Sequence, residues 1–518
     1  MSSLRRVARN VAYNWTGFAV QIAVAFFLTP FVIHKLGDAR YGVWALTVSL
    51  TGYYGLLDLG FRAGLTQYIT RALAVGDQLQ VNKTVSSGFA ALACCAGMLL
   101  CASLGLAFWS PSFINMSPEI THEVFWCILI VGASVAVQFF FFPFSAVLTA
   151  TQRFDIANLI GIGIRLLTAI ATLVVLARGG GLVGLSIVTA TGNILDYAAR
   201  CVSAFQVLPA LRVKPHLVGW SVCRALLSFG LWNVLIAASA RLISYTDALV
   251  ITAFMPIAAV AWFAIAANLV HQFSSIFIPI GQVFYPLIAS LDAKKDQAEL
   301  KRAYLTGTRL VAVVACAVAV IAGVFAPEFF RLWIGPRFVE NSEFHSIPLI
   351  FRLLLVAAVA SSVQRIGYQA FIATGRVRQL AALLLCEAVF NLGLSLILIR
   401  SIGLLGVAFG TLVPAVTFQF VILPLVLHKQ IGVRMAEYAR LVLLRMLVIA
   451  ALLLALFQTY TNVFEIDDWP DLMVAGMLST AAAMSIVLMF GCEHSERLAV
   501  ISQIRSFCRT ARRRLANA

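Results

Sequence analysis

The stretch IANLIGIGIRLLTAIATLVVLA, residues 156–177, decides the class of this protein. It holds a single charge, Arg165, and is closed at its two ends by Arg153 and Arg178. At about 1.5 Å of rise per residue, a helix of this length crosses the roughly 30 Å hydrocarbon core of a bilayer. Similar runs recur along the 518-residue chain, in which 61% of residues are hydrophobic and 12% charged. A soluble chain carries about 25% charged residues. Half that density cannot coat a globular protein of this size, whereas lipid accepts apolar side chains on the outside.

Outward from this run, further spans of bilayer length read at approximately 11–33, 42–70, 84–109, 122–150, 182–208, 223–254, 258–290, 303–330, 346–374, 379–399, 404–427, 441–460 and 472–491. The expectation is an all-α integral membrane protein with about fourteen transmembrane helices. Arg5, Arg6 and Arg9 before the first run resemble a signal sequence, but the run is too long and no small-residue cleavage site follows, so it reads as a retained helix. The net charge of +16 does not point to nucleic acid, because the basic residues sit in short clusters between apolar runs. With the N-terminus inside and the spans alternating, inside segments hold about 24 Lys and Arg and outside segments 6. That is the bias of the positive-inside rule, and it places both termini in the cytoplasm. Outside segments are acidic instead, with Glu119, Glu123, Glu340, Glu343, Glu465, Asp467 and Asp468.

The basic segment Leu211–Arg224 divides the chain. Six spans precede it and six follow, each half with a short Gly-containing loop between its fifth and sixth spans. The expected organisation is an N-lobe at 1–215, a C-lobe at 216–430, and two additional helices with a basic tail at 431–518. Two six-helix halves of equal orientation form parallel repeats, a common transporter plan with a central cavity between lobes.

Charges at membrane depth cost roughly 2.5–3.5 kcal/mol at a helix centre and call for a reason. Eight arginines lie within spans: Arg62, Arg165, Arg200, Arg241, Arg309, Arg352, Arg365 and Arg445. Arg309, Arg352 and Arg445 lie near span ends, where snorkelling to the interface explains them. The others join polar stripes at helical spacing. Tyr54, Asp58 and Arg62 form one; Asn158, Gly161, Arg165, Thr168 and Thr172 another; Ser361, Arg365 and Gln369, then Glu387, Asn391 and Ser395, then Asn14, Gly17 and Gln21 three more. Asn233, Arg241 and Asp247 share one span, and Asn268, His271 and Gln272 the next. Such stripes must face the bundle interior or water. They serve either as interhelical glue or as a hydrated cavity with excess positive charge. Asp58–Arg62 and Asp196–Arg200 have a carboxylate one turn away and fit either role. Arg165, Arg241 and Arg365 have none one helical turn away in their own helix, which favours an anionic ligand.

No phosphate-binding loop, zinc-protease motif or nucleophile elbow is present, so the chain reads as a non-enzyme without cofactor or metal, driven by an H+ or Na+ gradient or by its substrate's own disequilibrium. The ten cysteines include no C-x-x-C pair and read as small packing residues.

Several segments resemble the polysaccharide transporter family, the flippases of lipid-linked oligosaccharides such as O-antigen units, which share a superfamily with multidrug extruders and the lipid II flippase. They are TPFVIHKLGDARYGVWAL from Thr29, DALVITAFMPIAAVAWFAIA from Asp247, YPLIASL from Tyr285 through a basic loop to RLWIGPRF at Arg331, FIATGRVRQ from Phe371, and NLGLSLILIRSIGLLGVAFGT from Asn391. Ala261-Trp262-Phe263 departs from the Gly-aromatic-aromatic pattern frequent in the family. The resemblance implies a bacterial inner-membrane protein that carries a polyprenyl-pyrophosphate-linked oligosaccharide to the outer leaflet by alternating access, with membrane lipid and polysaccharide-assembly proteins as partners. On that reading Arg62, Arg165, Arg241 and Arg365 hold the pyrophosphate through their bidentate forks. Asp58, Asp247 and Glu387 supply counter-charge or cation coupling, and Asn14, Gln21, Tyr54, Asn268, Gln369 and Asn391 line the cavity. The rival readings are a drug or cation antiporter, which would want unpaired carboxylates at depth, and a membrane glycan polymerase or ligase, which would want a large catalytic outside loop.

Overall fold

The computed structural model describes residues 3–57, 61–113, 118–227, 231–340, 344–493 and 496–497. Among them the regular structure is all helix, with no strand. Lipid offers backbone groups no water to bond, so each apolar run must satisfy its own N–H and C=O groups, which a helix does. The expected all-α membrane architecture is therefore the one observed. Twelve helical stretches among the described residues are long and apolar enough to cross a bilayer. Two of them, Trp15–Leu56 and Val377–Ile431, are about twice the length one crossing needs. The first is broken at Gly37, with φ +75°, and the second at Ile402 and Gly403, with φ +58° at the glycine. Only a glycine adopts such angles without strain.

The chain divides into two compact units, Met1–Ile265 with Leu384–Val407, and Ala266–Leu383 with Ala408–Ala518. In the first, the helices Phe61–Ala74, Gln78–Phe113, Pro118–Ala150 and Gly181–Val207 enclose a core that includes Leu65, Ile69, Val85, Leu92, Phe139 and Val147. In the second, the helix Gln297–Val324 is central. It packs on Ile347–Val363 and on Leu444–Val463, and Val313, Ala317, Ile449, Leu453 and Phe457 close the core there.

Ion pairs between distant segments test the alternation of sides. Arg40 forks onto Glu123 at 2.7 and 2.9 Å, and Arg331 meets Asp467 at 3.1 Å. Lys301 meets Glu437 at 2.5 Å. The first two pairs join segments read as outside, and the third joins segments read as inside.

Candidate functional site

The site in the first unit begins with a helix that fails. Residues 52–60 read GYYGLLDLG, and three glycines in nine positions each cost a helix about 1 kcal/mol relative to alanine. The helix ends at Gly52, a single 3-10 turn covers Tyr53–Leu56, and the helix resumes at Phe61. Of the stripe Tyr54, Asp58, Arg62 expected from sequence, Tyr54 lies on the 3-10 turn and Arg62 on the helix Phe61–Ala74, so these two do not share one helix. Asp58 lies outside the described residues.

The break is where Arg241 docks. Its Nη1 donates to the Gly52 carbonyl oxygen at 2.5 Å, and its guanidinium lies 5.8 Å from the centre of the Tyr245 ring. Glycine leaves room for the approach at both positions. A Cβ on Gly55 would stand 2.4 Å from Arg241 Nη2, and one on Gly52 would stand 2.7 Å from the Tyr245 ring. The neighbouring hydroxyls of Tyr53 and Thr246 share a hydrogen bond of 2.5 Å, and Asp247 beside them is 8% exposed. Among the described residues no carboxylate lies in ion-pair range of Arg241.

Arg62 opens the resumed helix and lays its guanidinium between two rings, 4.4 Å from Phe139 and 4.6 Å from Phe142. Arg165 reaches the Gly17 carbonyl through Nη1 at 3.4 Å. Its neighbour Asp196 is committed to Arg200, with bonds of 2.6 and 3.2 Å, and Arg200 also donates to the Ala157 carbonyl at 3.2 Å. Of the two roles left open for the Asp196–Arg200 pair, its bonding is that of interhelical glue.

In the second unit, Arg365 starts the helix Arg365–Ala373, directly after the non-helical Gln364. Gln364 is fully buried and bridges two phenols: it accepts from Tyr304 at 3.1 Å and donates to Tyr438 at 2.9 Å. The Arg365 guanidinium lies 5.9 Å from the Tyr368 ring, and its buried Nε has no hydrogen-bond partner among the described residues.

Arg309 is the arginine that sequence reasoning misplaced. It does not snorkel: it is 2% exposed and is clamped by Glu493 and Glu496, each at 2.5 Å. Both glutamates follow the last span, about 185 positions along the chain, so no local pattern linked them to it. The available signal was E-x-x-E placed directly beyond an apolar run. Arg309 also holds the Glu493 carboxyl below its ordinary value of 4.5, by its hydrogen bond and its charge. Arg352 caps a helix end, donating to the Gly323 carbonyl at 2.6 Å.

The remaining expected positions are dispersed. Glu387, Asn391 and Ser395 form a stripe buried to 3%, 2% and 1% exposure. Gln21 and Gln369 are half-buried and Asn268 is exposed. Tyr54 is buried, with its hydroxyl on Ser103 at 2.7 Å. The side chain of Asn14 lies outside the described residues.

Known proteins show the same fold. The structure resembles the lipid II flippase MurJ in an inward closed conformation, with a TM-score of 0.69 at 13% identity over 92% of this chain and 99% of that one. It resembles an inward-facing multidrug resistance MATE family transporter of the MOP superfamily with a TM-score of 0.67 at 15% identity, over 80% and 94% of the two chains. In sequence, the chain is 22% identical to a putative O-antigen transporter of Shigella flexneri over 78% of its length and 93% of the relative's. It is 20% identical to the uncharacterized membrane protein EpsK of Bacillus subtilis (strain 168), over 96% and 97%. The family model described as "Polysaccharide biosynthesis protein" matches residues 36–343, more than half the chain. The chain therefore belongs to the polysaccharide biosynthesis protein family of multi-pass membrane proteins.

Proposed function

We propose that this protein is a flippase that moves polyprenyl-pyrophosphate-linked oligosaccharide units from the cytoplasmic to the outer leaflet of a bacterial inner membrane. The observation that carries this reading is the state of three deep arginines. Arg165, Arg241 and Arg365 have no carboxylate in ion-pair range among the described residues and are held by carbonyls or aromatic faces. A cation kept at membrane depth without an acid retains its attraction for an anion, and a pyrophosphate is the anion that a guanidinium fork fits. A broken helix next to such a cation is a recurring feature of transporter binding sites. Membership in a polysaccharide biosynthesis family supplies the glycan.

On this proposal the two long stretches each cross twice, giving fourteen crossings, and both termini are cytoplasmic. The lobes 1–215 and 216–430 alternate access, without enzymatic turnover. The buried Asp247 and Glu387 are the candidates for coupling to an H+ or Na+ gradient. The test is reconstitution of the purified chain in vesicles with a fluorescent polyprenyl-pyrophosphate oligosaccharide and an imposed ion gradient. Protein-dependent loss of the probe from the starting leaflet is the expected result. Failure to move that lipid under any gradient, with export of a soluble organic cation instead, would assign the chain to the antiporter branch.

A further inference from the structure

A second basic site lies at one end of the second unit, apart from the deep arginines. A pocket of about 770 Å³ opens where the helix Gln297–Val324 begins, where the segment from Met435 begins, and where the stretch Trp469–Gly491 ends. By the alternation of spans these three ends lie on one side of the membrane, the side read as inside. Lys301, Arg434, Arg440 and Arg445 line the pocket against a single carboxylate, Glu437. That carboxylate is taken by Lys301 at 2.5 Å. Glu493 and Glu496 nearby are committed to Arg309. Among the described residues no carboxylate is in ion-pair range of Arg434, Arg440 or Arg445, so three guanidinium charges remain for a ligand.

The backbone is also unusual here. Arg440 and Leu441 sit on a π-helical turn, Ala439–Leu443, and Phe490 on another, Val487–Gly491. Such turns insert a residue, re-aim side chains, and recur at functional sites. Beyond the arginines the helix turns apolar and stays open. Leu444, Val448 and Leu452, one helical turn apart, are 56%, 39% and 41% exposed. A cationic pocket continued by an apolar row has the outline of an amphiphile. A soluble anion would use the pocket and leave the row bare.

We infer that this pocket binds an anionic phospholipid, with its phosphate on Arg434, Arg440 and Arg445 and an acyl chain along Leu444, Val448 and Leu452. The site does not depend on which substrate the protein carries. Basic pockets between transmembrane helices on the cytoplasmic side are a known way of holding such headgroups.

The test is equilibrium binding of fluorescent phosphatidylglycerol to the full-length protein in neutral detergent, in competition with unlabelled phosphatidylglycerol, phosphatidylcholine or inorganic phosphate. Phosphatidylglycerol is expected to compete, phosphatidylcholine to fail, and phosphate to compete only at far higher concentration. Each surface arginine contributes about fivefold in affinity. Arg440→Gln should therefore weaken binding about fivefold, and Arg434→Gln, Arg440→Gln and Arg445→Gln together about a hundredfold. Leu444→Gln with Val448→Gln should weaken the lipid and leave phosphate unchanged. Equal competition by phosphatidylcholine would overturn the inference. So would full binding by the triple variant, or phosphate as effective as the lipid with no effect of the leucine and valine changes. Arg440 is exposed, so Arg440→Gln keeps the fold even if the triple variant does not, and unchanged affinity in that single variant also overturns the site.

Discussion

Two arginines in apolar helices of this protein are held in opposite ways. Arg309, in the second unit, is 2% exposed and meets two carboxylates at 2.5 Å. Arg241, in the first unit, donates to a backbone carbonyl and faces a tyrosine ring. Both sit in runs where a charge is expensive, yet among the described residues only the first meets a carboxylate. A neutralised guanidinium ties segments together and has little attraction left for a ligand. One held by a carbonyl dipole is positioned and remains cationic. The difference separates charge that serves the fold from charge available to a substrate, and depth in the membrane alone does not make that separation.

The comparison breaks most visibly at the clamp. Glu493→Gln with Glu496→Gln leaves Arg309 buried without its counter-charges and should cost about 3 kcal/mol, read as a lower unfolding midpoint in detergent. Surviving folded protein should transport at the parent rate. Next is the bridge under Arg365. Gln364→Leu strands the buried Tyr438 hydroxyl and weakens that of Tyr304, for about 2 kcal/mol by the same measurement. Gly55→Ala acts on the other side of the comparison. Its methyl would displace only the flexible tip of Arg241, so stability should change by less than about 1 kcal/mol while transport falls about threefold.

The smallest effect is in pH. Because Arg309 holds Glu493 below 4.5, the clamp contributes fully above that pH and is lost as pH falls through the depressed folded value. The parent's unfolding midpoint should therefore drop more steeply than that of the double glutamine variant between about pH 5 and pH 3.

Much of the fold was legible because lipid leaves a helix few alternatives. Run length marks the apolar helices, and the pairs Arg40–Glu123, Arg331–Asp467 and Lys301–Glu437 join segments read as same-sided. The deep arginines were legible because a charge in an apolar run stands out. Their partners were not, because a run shows neighbours at one-turn spacing only. Asp196 beside Arg200 could be read, whereas Glu493 across the chain from Arg309 could not. The 3-10 turn at Tyr53–Leu56 was written in the glycines around it, but the polar spacing of Tyr54, Asp58 and Arg62 matched a helix and outweighed them. The π turns around Arg440 leave no signal in an unbroken apolar sequence.

The central claim is that arginines held by neutral groups bind the substrate's anion, and arginines held by carboxylates do not. Its most direct test is the affinity of the purified protein for polyprenyl pyrophosphate, measured for Arg165→Gln, Arg241→Gln and Arg365→Gln beside Arg200→Gln. Loss of one charge-assisted contact predicts at least about a tenfold weakening in each of the first three. Arg200→Gln should bind as the parent does, because Asp196 already occupies that guanidinium. Equal losses in all four, or no loss in the first three, would contradict the claim.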